Sequence, residues 1–553
     1  MMALFSRNMK RWFEYIVVTA GLTAVIGLVT WPHALVFGHS VVSHIDPLFS
    51  MWRLAWFTQA LTTGAPIADG NMFFPEPGTF LLSDATLLQG AMAYPALRAG
   101  LSQPLVYNAL LAAGMVSSGL ALYHVARTFE VVPPAAFAGA VIFTVAPFRI
   151  EHVMHLELQW VAPALMAGVA LHRLLTSPGW RPAIALGAWM ALQFLACVYY
   201  SLFVVPLFAL LVVAAFGQMP RLRATAGYGV LAMVLAVALA SPAAALYFRQ
   251  SGLVAPRTVD EVGYYSVKPI NFLAAPSENL LYGSTAATWG GDERRLFPGV
   301  LAIVAAAVGL RSRRRLIKWA GLLIVVAAAT LSLGVNGPYR ILYEYVSGWQ
   351  SFRVPARFGI YVLAGIAILA ALGVEWLLSR SALRPLAALI AVAILVAALC
   401  AEYRSPPSAF IRVDVTPPVY EFLARAPEGV VLELPFSAPL LERAKRPGLV
   451  AYEADYIYWS TRHWRPLVNG YSGYHPPSYQ RTIEALAEFP DATSMAHLAA
   501  ARVRYLLIHA TYYPPDSVGR IVDQLLRYPD VRSLGTYHDW AGPTHVVELA
   551  PKP

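Results

Sequence analysis

The sequence is poor in charged residues and has almost no cysteine. Of its 553 residues only 13% are charged and 58% are hydrophobic, whereas a soluble chain carries about 25% charge. The two cysteines, Cys197 and Cys400, lie in apolar runs, which excludes a disulfide scaffold and a thiolate metal site. The sequence contains no P-loop and no Rossmann glycine pattern, so it offers no nucleotide-binding motif. A mean hydropathy of +0.55 and long apolar runs instead indicate an integral membrane protein.

The first apolar run, Ile16–Trp31, follows a basic flank and has no small-x-small cleavage site at its end. We therefore interpret it as a membrane span and not as a signal peptide. The net charge of +10 comes from short basic clusters between apolar runs, as orientation signals do. This distribution argues against a nucleic-acid partner.

The apolar runs predict about eleven membrane-spanning helices of about 20 residues each. They lie near residues 13–32, 105–126, 133–148, 156–174, 183–199, 201–217, 225–246, 298–311, 318–335, 357–379 and 384–402.

The short connections between these spans carry basic residues that all fall on one side of the membrane. They are Arg7, Lys10, Arg11, Arg127, Arg173, Arg181, Arg221, Arg223, Arg311, Arg313, Arg314, Arg315, Lys318, Arg380 and Arg384. The positive-inside rule makes that side and the N-terminus cytoplasmic. The long connections 33–104, 247–297 and 336–356 then face the extracytoplasmic side, where we expect function.

The tail differs in composition from the rest of the chain. From Arg404 onward, short alternating runs replace the long apolar ones, and 429–434 and 503–509 are typical of buried strands. The stretches 418–426, 479–488 and 518–528 have helical periodicity. The sequence thus predicts two domains, a transmembrane domain over 1–402 and a soluble extracytoplasmic α/β domain over 403–553.

Several stretches together resemble one superfamily of membrane proteins. They are Asp46–Trp56, Asn71–Pro75, Tyr107–Asn108, His152–Leu156 and Phe352–Phe358. With their order along the chain, they resemble the GT-C glycosyltransferases, and in particular bacterial membrane proteins of that superfamily. The resemblance implies a mainly α, polytopic helical bundle in the bacterial inner membrane with a C-terminal extracytoplasmic α/β domain. It also implies transfer of a sugar from a polyprenyl-phosphate carrier to a glycan, lipid or protein acceptor.

Asp46 follows the first span and matches the acidic residue of the first external loop of that superfamily. The resemblance implies that it acts as general base or holds a metal. Transfer from a phosphate-linked sugar needs a base for the acceptor hydroxyl and cations near the departing phosphate. The alternative is that Asp46 caps a helix that begins near Pro47.

Asp84, in the same connection, is a second candidate catalytic carboxylate, and it too could cap a helix. A divalent cation, Mg²⁺ or Mn²⁺, is a candidate cofactor, with Asp46 and His155 as candidate ligands.

Arg149, His152 and His155 form a polar cluster between two predicted spans. The spacing of the histidines at i and i+3 predicts that both imidazoles lie on one helical face. There they could bind a metal, or a phosphate when protonated, with Arg149 as a phosphate partner.

Arg353 and Arg357 are four residues apart at the extracytoplasmic start of a span, against the positive-inside bias. Because a guanidinium fork matches a phosphate, we expect them to bind the carrier phosphate. The alternatives are ordinary lipid phosphates or a carboxylate such as Glu344.

Aromatic and polar side chains concentrate in two further stretches. Tyr264 and Tyr265 lie in the connection 247–297, and His463, Trp464 and Asn469 lie in the tail. Both sets could bind sugar by stacking and hydrogen bonding, or could pack at an interface between elements.

Two other classes of function stay open on the sequence alone. A transporter or flippase of a lipid-linked saccharide would show internal repeats and broken helices, which are not evident. A non-catalytic assembly factor would use the tail to bind a partner.

Overall fold

The computed structural model describes residues 2–250, 252, 254–291, 293–381, 384–436, 452–514, 516–540 and 542–549, with side chains from residue 11 onward. In chain order the helices are α1 Met2–Val29, α2 His33–Val36, α3 Ile45–Thr63, α4 Leu87–Arg98, α5 Gln103–Thr128, α6 Pro133–Val145, α7 Pro147–Glu151, α8 Ala162–Thr176, α9 Trp180–Ala196, α10 Val198–Ala215, α11 Leu222–Arg249, α12 Val259–Tyr264, α13 Thr285–Trp289, α14 Val300–Gly309, α15 Arg315–Ser332, α16 Tyr339–Tyr345, α17 Gly359–Arg380, α18 Pro385–Tyr403, α19 Pro418–Arg425, α20 Tyr452–Ser460, α21 Pro477–Ala485, α22 Ala492–Ala500 and α23 Ser517–Leu525. The strands are β1 Ser40–Val42, β2 Phe410–Arg412, β3 Val430–Leu434, β4 Val503–His509, β5 Val531–Asp539 and β6 Gly542–Leu549.

A helix occupies each predicted span. Within the described residues, nine helical segments are long and apolar enough to cross a membrane. The predicted spans 183–199 and 298–311 correspond to α9, with 17 residues, and α14, with 10 residues, which fall short of that length. The protein is a multi-pass membrane protein.

The chain divides into two compact units, which we call the helical unit and the sheet unit. The helical unit comprises Met1–Phe37, Asn108–Ala245 and Pro256–Ala409. The sheet unit comprises Gly38–Tyr107, Leu246–Ala255 and Phe410–Pro553. The first long connection therefore shares a unit with the tail.

The core of the helical unit is built around α17, which packs against α6, α14 and α15. Small residues allow this close approach. A Cβ atom added at Gly373 would lie 1.9 Å from the carbonyl oxygen of Ala305, and one at Gly309 would lie 1.9 Å from that of Leu369. Because lipid gives helices no hydrophobic reason to associate, backbone proximity of this kind supports van der Waals packing between them.

The sheet unit holds a four-stranded sheet in the order β3-β4-β6-β5, in which β3 and β4 are parallel and the other pairs antiparallel. The apolar runs of β3 and β4 are buried, as a parallel pair inside a sheet requires. A separate antiparallel pair joins β1, from the first long connection, to β2 at the start of the tail.

The first long connection is not irregular, because it contains α3 and α4. Helix α3 starts after His44, whose ring accepts a backbone hydrogen bond, and stops at Gly64. Gly64 has a φ of 75°, and its N–H bonds to the Ala60 carbonyl, a stop that favours glycine. This helix positions Asp46.

Candidate functional site

Asp46 lies in the first turn of α3. Its Oδ1 accepts a hydrogen bond of 3.0 Å from the Tyr471 hydroxyl. The residue that caps α3 is His44, whose Nδ1 accepts the Asp46 N–H at 3.2 Å. The prediction that Asp46 caps a helix beginning near Pro47 is therefore wrong. Its carboxylate lies at the positive end of the helix dipole, which stabilises the negative charge.

His44 Nδ1 also lies 3.3 Å from Asp46 Oδ2. One ring nitrogen cannot accept the backbone N–H and donate to the carboxylate at the same time. The capping geometry corresponds to an unprotonated Nδ1. We therefore treat this contact as a packing contact and not as an ion pair.

Aromatic rings line α3 on the turns that follow Asp46. Phe49 stacks on Trp52 with ring centroids 5.9 Å apart, and Trp52 lies parallel to Trp56 at 6.5 Å. Tyr471 meets Phe49 edge to face at 5.3 Å. All three rings of α3 are buried, so this row is packed core that fixes the helix carrying Asp46.

Asp84 uses both its backbone and its side chain in the turn that leads into α4. Its Oδ1 accepts the Thr86 N–H at 3.3 Å, and its carbonyl oxygen accepts a hydrogen bond from Arg53. Arg53 is 2% exposed, donates to Ser50 Oγ at 2.7 Å and stacks over Phe49. The catalytic role of Asp84 stays a prediction.

The tail residues predicted to bind substrate have structural contacts. The amide of Asn469, which is fully buried, accepts the Glu433 N–H at 2.7 Å and donates to the Glu433 carbonyl at 2.9 Å. Both ends of the Asn469 side chain therefore hold the backbone of β3, and its predicted contact with substrate stays a prediction. Trp464 has a φ of 54° and packs against Trp56 at 5.7 Å.

His463 is also built into the fold of the sheet unit. Its Nδ1 accepts the Arg465 N–H at 3.0 Å, and its ring stacks on Tyr420. Burial, with the nearby charge of Arg465, lowers the pKa of His463 to about 3. The ring is thus neutral at physiological pH, and its predicted contact with substrate stays a prediction.

In the helical unit, Arg357 and Glu293 form a bidentate ion pair. Arg357 Nε and Nη2 each donate to the Glu293 carboxylate at 2.7 Å, and the guanidinium also lies 4.4 Å from the Tyr199 ring centroid. Burial acts to raise the pKa of Glu293, but Arg357 and the neighbouring histidines lower it to about 2. Glu293 is therefore the constant counter-charge of Arg357.

The two predicted histidines do lie close together, but in a turn. Helix α7 ends at Glu151, and the His155 N–H bonds to the His152 carbonyl at 3.0 Å. The rings are 5.6 Å apart, so the proposed helical face is wrong while the proximity holds. Burial lowers the pKa of His152 to about 3, against the attraction of Glu293, and the predicted contact of both histidines with substrate stays a prediction.

Arg149 precedes His152 by three residues, and its positive charge has no carboxylate partner among the described residues. It is 1% exposed, and its Nη2 donates to the Gln159 carbonyl at 3.1 Å. Its Nε and Nη1 have no hydrogen-bond partner, and among the described residues no carboxylate forms an ion pair with it. Because a buried guanidinium is costly when unpaired, this site calls for an anion.

Arg353 and the two predicted tyrosines surround one carboxylate. Glu261 Oε1 lies 3.4 Å from Arg353 and 2.9 Å from Arg257, so two cations share one anion. The Arg353 guanidinium lies 5.5 Å from the Tyr265 ring, and Tyr264, half exposed, meets Tyr265 edge to face at 4.9 Å. Glu151, which precedes His152 in the chain, forms a separate ion pair with Arg295 at 2.5 Å.

The divalent cation with Asp46 and His155 as candidate ligands stays a prediction. Within the part of the chain that the structure describes, no three His, Cys, Asp or Glu residues are grouped to hold one. No step below is routed through a metal.

Three residues with contacts at these sites, Glu293, Tyr471 and Arg53, are not among the site residues predicted from the sequence. Glu293 precedes Arg294 and Arg295 in the sequence, a pattern typical of a solvated charged turn. Only its ion pair with Arg357, two residues before α17, distinguishes it from an ordinary surface residue. The run of aromatic residues before Tyr471 was a usable signal, but it could not identify the partner of this hydroxyl.

No protein-family model matches the sequence, and no curated protein matches it. Solved structures do match in fold. A cryo-EM structure of the arabinofuranosyltransferase AftD from Mycobacteria superposes with a TM-score of 0.63 at 13% identity, over 98% of this chain and 40% of that one. A structure of a mutant of the same enzyme gives 0.62 at 14% identity, over 98% and 42%.

The oligosaccharyltransferase of Archaeoglobus fulgidus superposes with a TM-score of 0.50 at 13% identity, over 89% of this chain and 69% of that one. The chain spans less than half the length of the mycobacterial enzyme. Both neighbours have the fold that the sequence resemblance implies. The chain has the polytopic helical fold of the GT-C membrane glycosyltransferases.

Proposed function

We propose that this protein is a membrane glycosyltransferase that takes a sugar from a polyprenyl-phosphate carrier. The acceptor is a glycan, lipid or protein hydroxyl on the extracytoplasmic side, the orientation that the positive-inside rule favours. The shared fold and the residues described above support this proposal together.

The observation that carries the proposal is the buried guanidinium of Arg149 in the helical unit, which has no ion-pair partner among the described residues. Arg353 shares Glu261 with Arg257. A phosphate monoester or diester would supply the missing negative charge and accept bidentate hydrogen bonds. Guanidinium is suited to this contact because it is planar, always charged and weakly hydrated.

Asp46 is the proposed general base. In the reaction, the acceptor oxygen forms a bond to the anomeric carbon while the bond from that carbon to the phosphate oxygen breaks. The acceptor proton moves to the Asp46 carboxylate, and the electron pair of the broken bond leaves on the polyprenyl phosphate. Cations that stabilise this negative charge lower the barrier, which is the role proposed for Arg149 and Arg353.

The direct test uses purified protein in lipid nanodiscs with radiolabelled undecaprenyl-phosphate sugars. The acceptor is a cell-envelope glycan extract from a strain that lacks the gene. We expect the wild type to transfer label from one of these donors, and Asp46→Asn to lose at least about 100-fold in rate, as general-base removal does. Full transfer by Asp46→Asn would overturn the base assignment.

A matched control is Glu76→Gln. Glu76 lies in the same connection as Asp46, and its carboxylate contacts Arg481 at 4.0 Å. We expect this variant to keep wild-type transfer. Absence of transfer from every donor by the wild type would count against the proposed reaction itself.

A further inference from the structure

A second cluster of polar side chains lies in the sheet unit, at the carboxyl ends of β3 and β4. Glu433 is the penultimate residue of β3, and His509 is the last residue of β4. Because these strands are parallel, their carboxyl ends meet at one edge, where α/β sheets hold ligands. His509 Nε2 lies 2.7 Å from Glu433 Oε2, and the Tyr420 hydroxyl donates to the same oxygen at 2.8 Å.

Within the described residues, three buried polar atoms in and beside this cluster have no hydrogen-bond partner. They are Glu433 Oε1 and the hydroxyls of Tyr452 and Tyr456, on residues that are at most 1% exposed. Such an atom is destabilising while it stays unsatisfied. Tyr456 stacks on His509 at the end of β4, and Tyr452 packs against Tyr456, so these unsatisfied atoms indicate a site that a ligand completes.

The cluster is also acidic. Asp455, on α20, is partly exposed, and among the described residues neither it nor Glu433 forms an ion pair with an arginine or lysine. Burial, followed by the charge of Glu433, raises the pKa of Asp455 to about 7. His509, with a side chain 13% exposed, is the one basic group in contact with Glu433 within the described part of the chain.

Aromatic rings enclose this acidic cluster. Tyr452 lies 5.5 Å from Tyr456 and 5.7 Å from Tyr512, and Tyr456 stacks on His509 at 4.9 Å. The electron-rich faces of tyrosine rings attract cations, above all where carboxylates are near. The tyrosine rings and the carboxylates therefore both favour a cationic ligand.

We propose that the cluster of Glu433, Asp455, Tyr452 and Tyr456 binds an alkylammonium group. An –NH₃⁺ group has three hydrogen-bond donors and no acceptor. It therefore matches a set of unpaired carboxylate and phenol oxygens better than a neutral hydroxyl does. Such a group occurs in amino sugars and in the ethanolamine headgroup of lipids. The site goes beyond the proposed transfer reaction and requires no catalytic step.

The test is calorimetric titration of the full chain in nanodiscs that contain no amine lipid. The probes are glucosamine, N-acetylglucosamine and ethanolamine. Glucosamine and N-acetylglucosamine share a ring and differ in the charge on nitrogen. We expect glucosamine or ethanolamine to bind at least about tenfold more tightly than N-acetylglucosamine, and the tighter of the two identifies the source of the amine. Equal binding of the amine and the amide, or no binding of any probe, would overturn the proposal.

Asp455→Asn should weaken amine binding by about tenfold or more, because it removes a charge that the ammonium group contacts. Asp523→Asn, at an exposed position on α23, is the matched control and should bind like the wild type. Unchanged amine binding by Asp455→Asn would also overturn the proposal. The comparison of probes on the wild-type protein decides the question even if the variant fails to fold.

Discussion

The Tyr471 hydroxyl donates a hydrogen bond of 3.0 Å to the Asp46 carboxylate, although 425 positions separate the two residues. The same ring packs edge to face on Phe49, one turn of α3 beyond Asp46. The tail of the chain thus orients the carboxylate that we propose as the base. Tyr471 is a positioning residue, because it acts through Asp46.

Tyr471→Phe should reduce the transfer rate by about tenfold while the protein still folds. A hydrogen bond to a charged group is worth about 1.5–3 kcal/mol, and its loss leaves the carboxylate less ordered and less stable as an anion. The acidic limb of the pH–rate profile should therefore move to higher pH. Initial rates measured from pH 4 to pH 8 check both effects.

Tyr528→Phe removes a hydroxyl from another tyrosine of the tail, one that lies just beyond α23. This control should leave the rate and the pH profile unchanged. A Tyr471→Phe enzyme with a wild-type pH profile would show that the hydroxyl does not act on Asp46.

The long apolar runs alone predicted the long helices of the helical unit. Long apolar runs have one stable solution in lipid, since each backbone group must be satisfied within the segment, and a helix was found at every predicted span. The strands β3 and β4 were equally accessible, because buried parallel strands are continuous apolar runs. β5 was missed since it is largely exposed and mixes polar residues with glycine.

The candidate sites depended on contacts that no pattern contains. Asp46 and Arg357 stood out by position, but their partners Tyr471 and Glu293 lie 425 and 64 positions away. At Asn469 the pattern was present, but the hydrogen bonds found there are structural. A polar side chain among aromatic residues resembles a sugar ligand until its hydrogen bonds to the Glu433 backbone are seen.

Asn469→Ala tests this structural role. The variant leaves the buried N–H and carbonyl of Glu433 without partners, so we expect a loss of about 2–4 kcal/mol in the free energy of unfolding. If the role of the side chain is structural, the KM for the donor should stay within about twofold, because its amide is already occupied by these two hydrogen bonds. Thermal unfolding and donor titration on the same preparation separate the two effects. A raised KM with unchanged stability would support the original prediction.

Arg353→Lys tests the phosphate site at its more accessible arginine, whose side chain is 34% exposed. Lysine keeps the charge but loses the planar fork, so we expect the KM for the donor to rise by about tenfold. Inhibition by free polyprenyl phosphate should weaken by the same factor. Arg340→Lys, in a surface pair with Glu344, is the control and should change neither constant. Equal inhibition of the wild type and Arg353→Lys would exclude a phosphate contact at Arg353.

Glu293→Gln tests the buried ion pair through its pH dependence. The pKa of Glu293 is lowered from its ordinary value of 4.5 to about 2, so the pair stabilises the fold above pH 4.5. This contribution, about 3 kcal/mol, is lost as the pH falls from 4.5 towards 2. At pH 7 the variant leaves Arg357 buried without its counter-charge, which should cost about 3–5 kcal/mol.

The difference in melting temperature between wild type and Glu293→Gln should therefore be largest at pH 7 and shrink as the pH falls from 4.5 towards 2, because the wild type progressively loses the same interaction over that range. Glu344→Gln provides the comparison. It breaks an exposed i,i+4 pair with Arg340, and such pairs contribute at most about 1 kcal/mol. Its melting temperature should stay near that of the wild type throughout. A pH-independent difference for Glu293→Gln would mean that the side chain acts by packing, and that the charge of Glu293 does not stabilise Arg357.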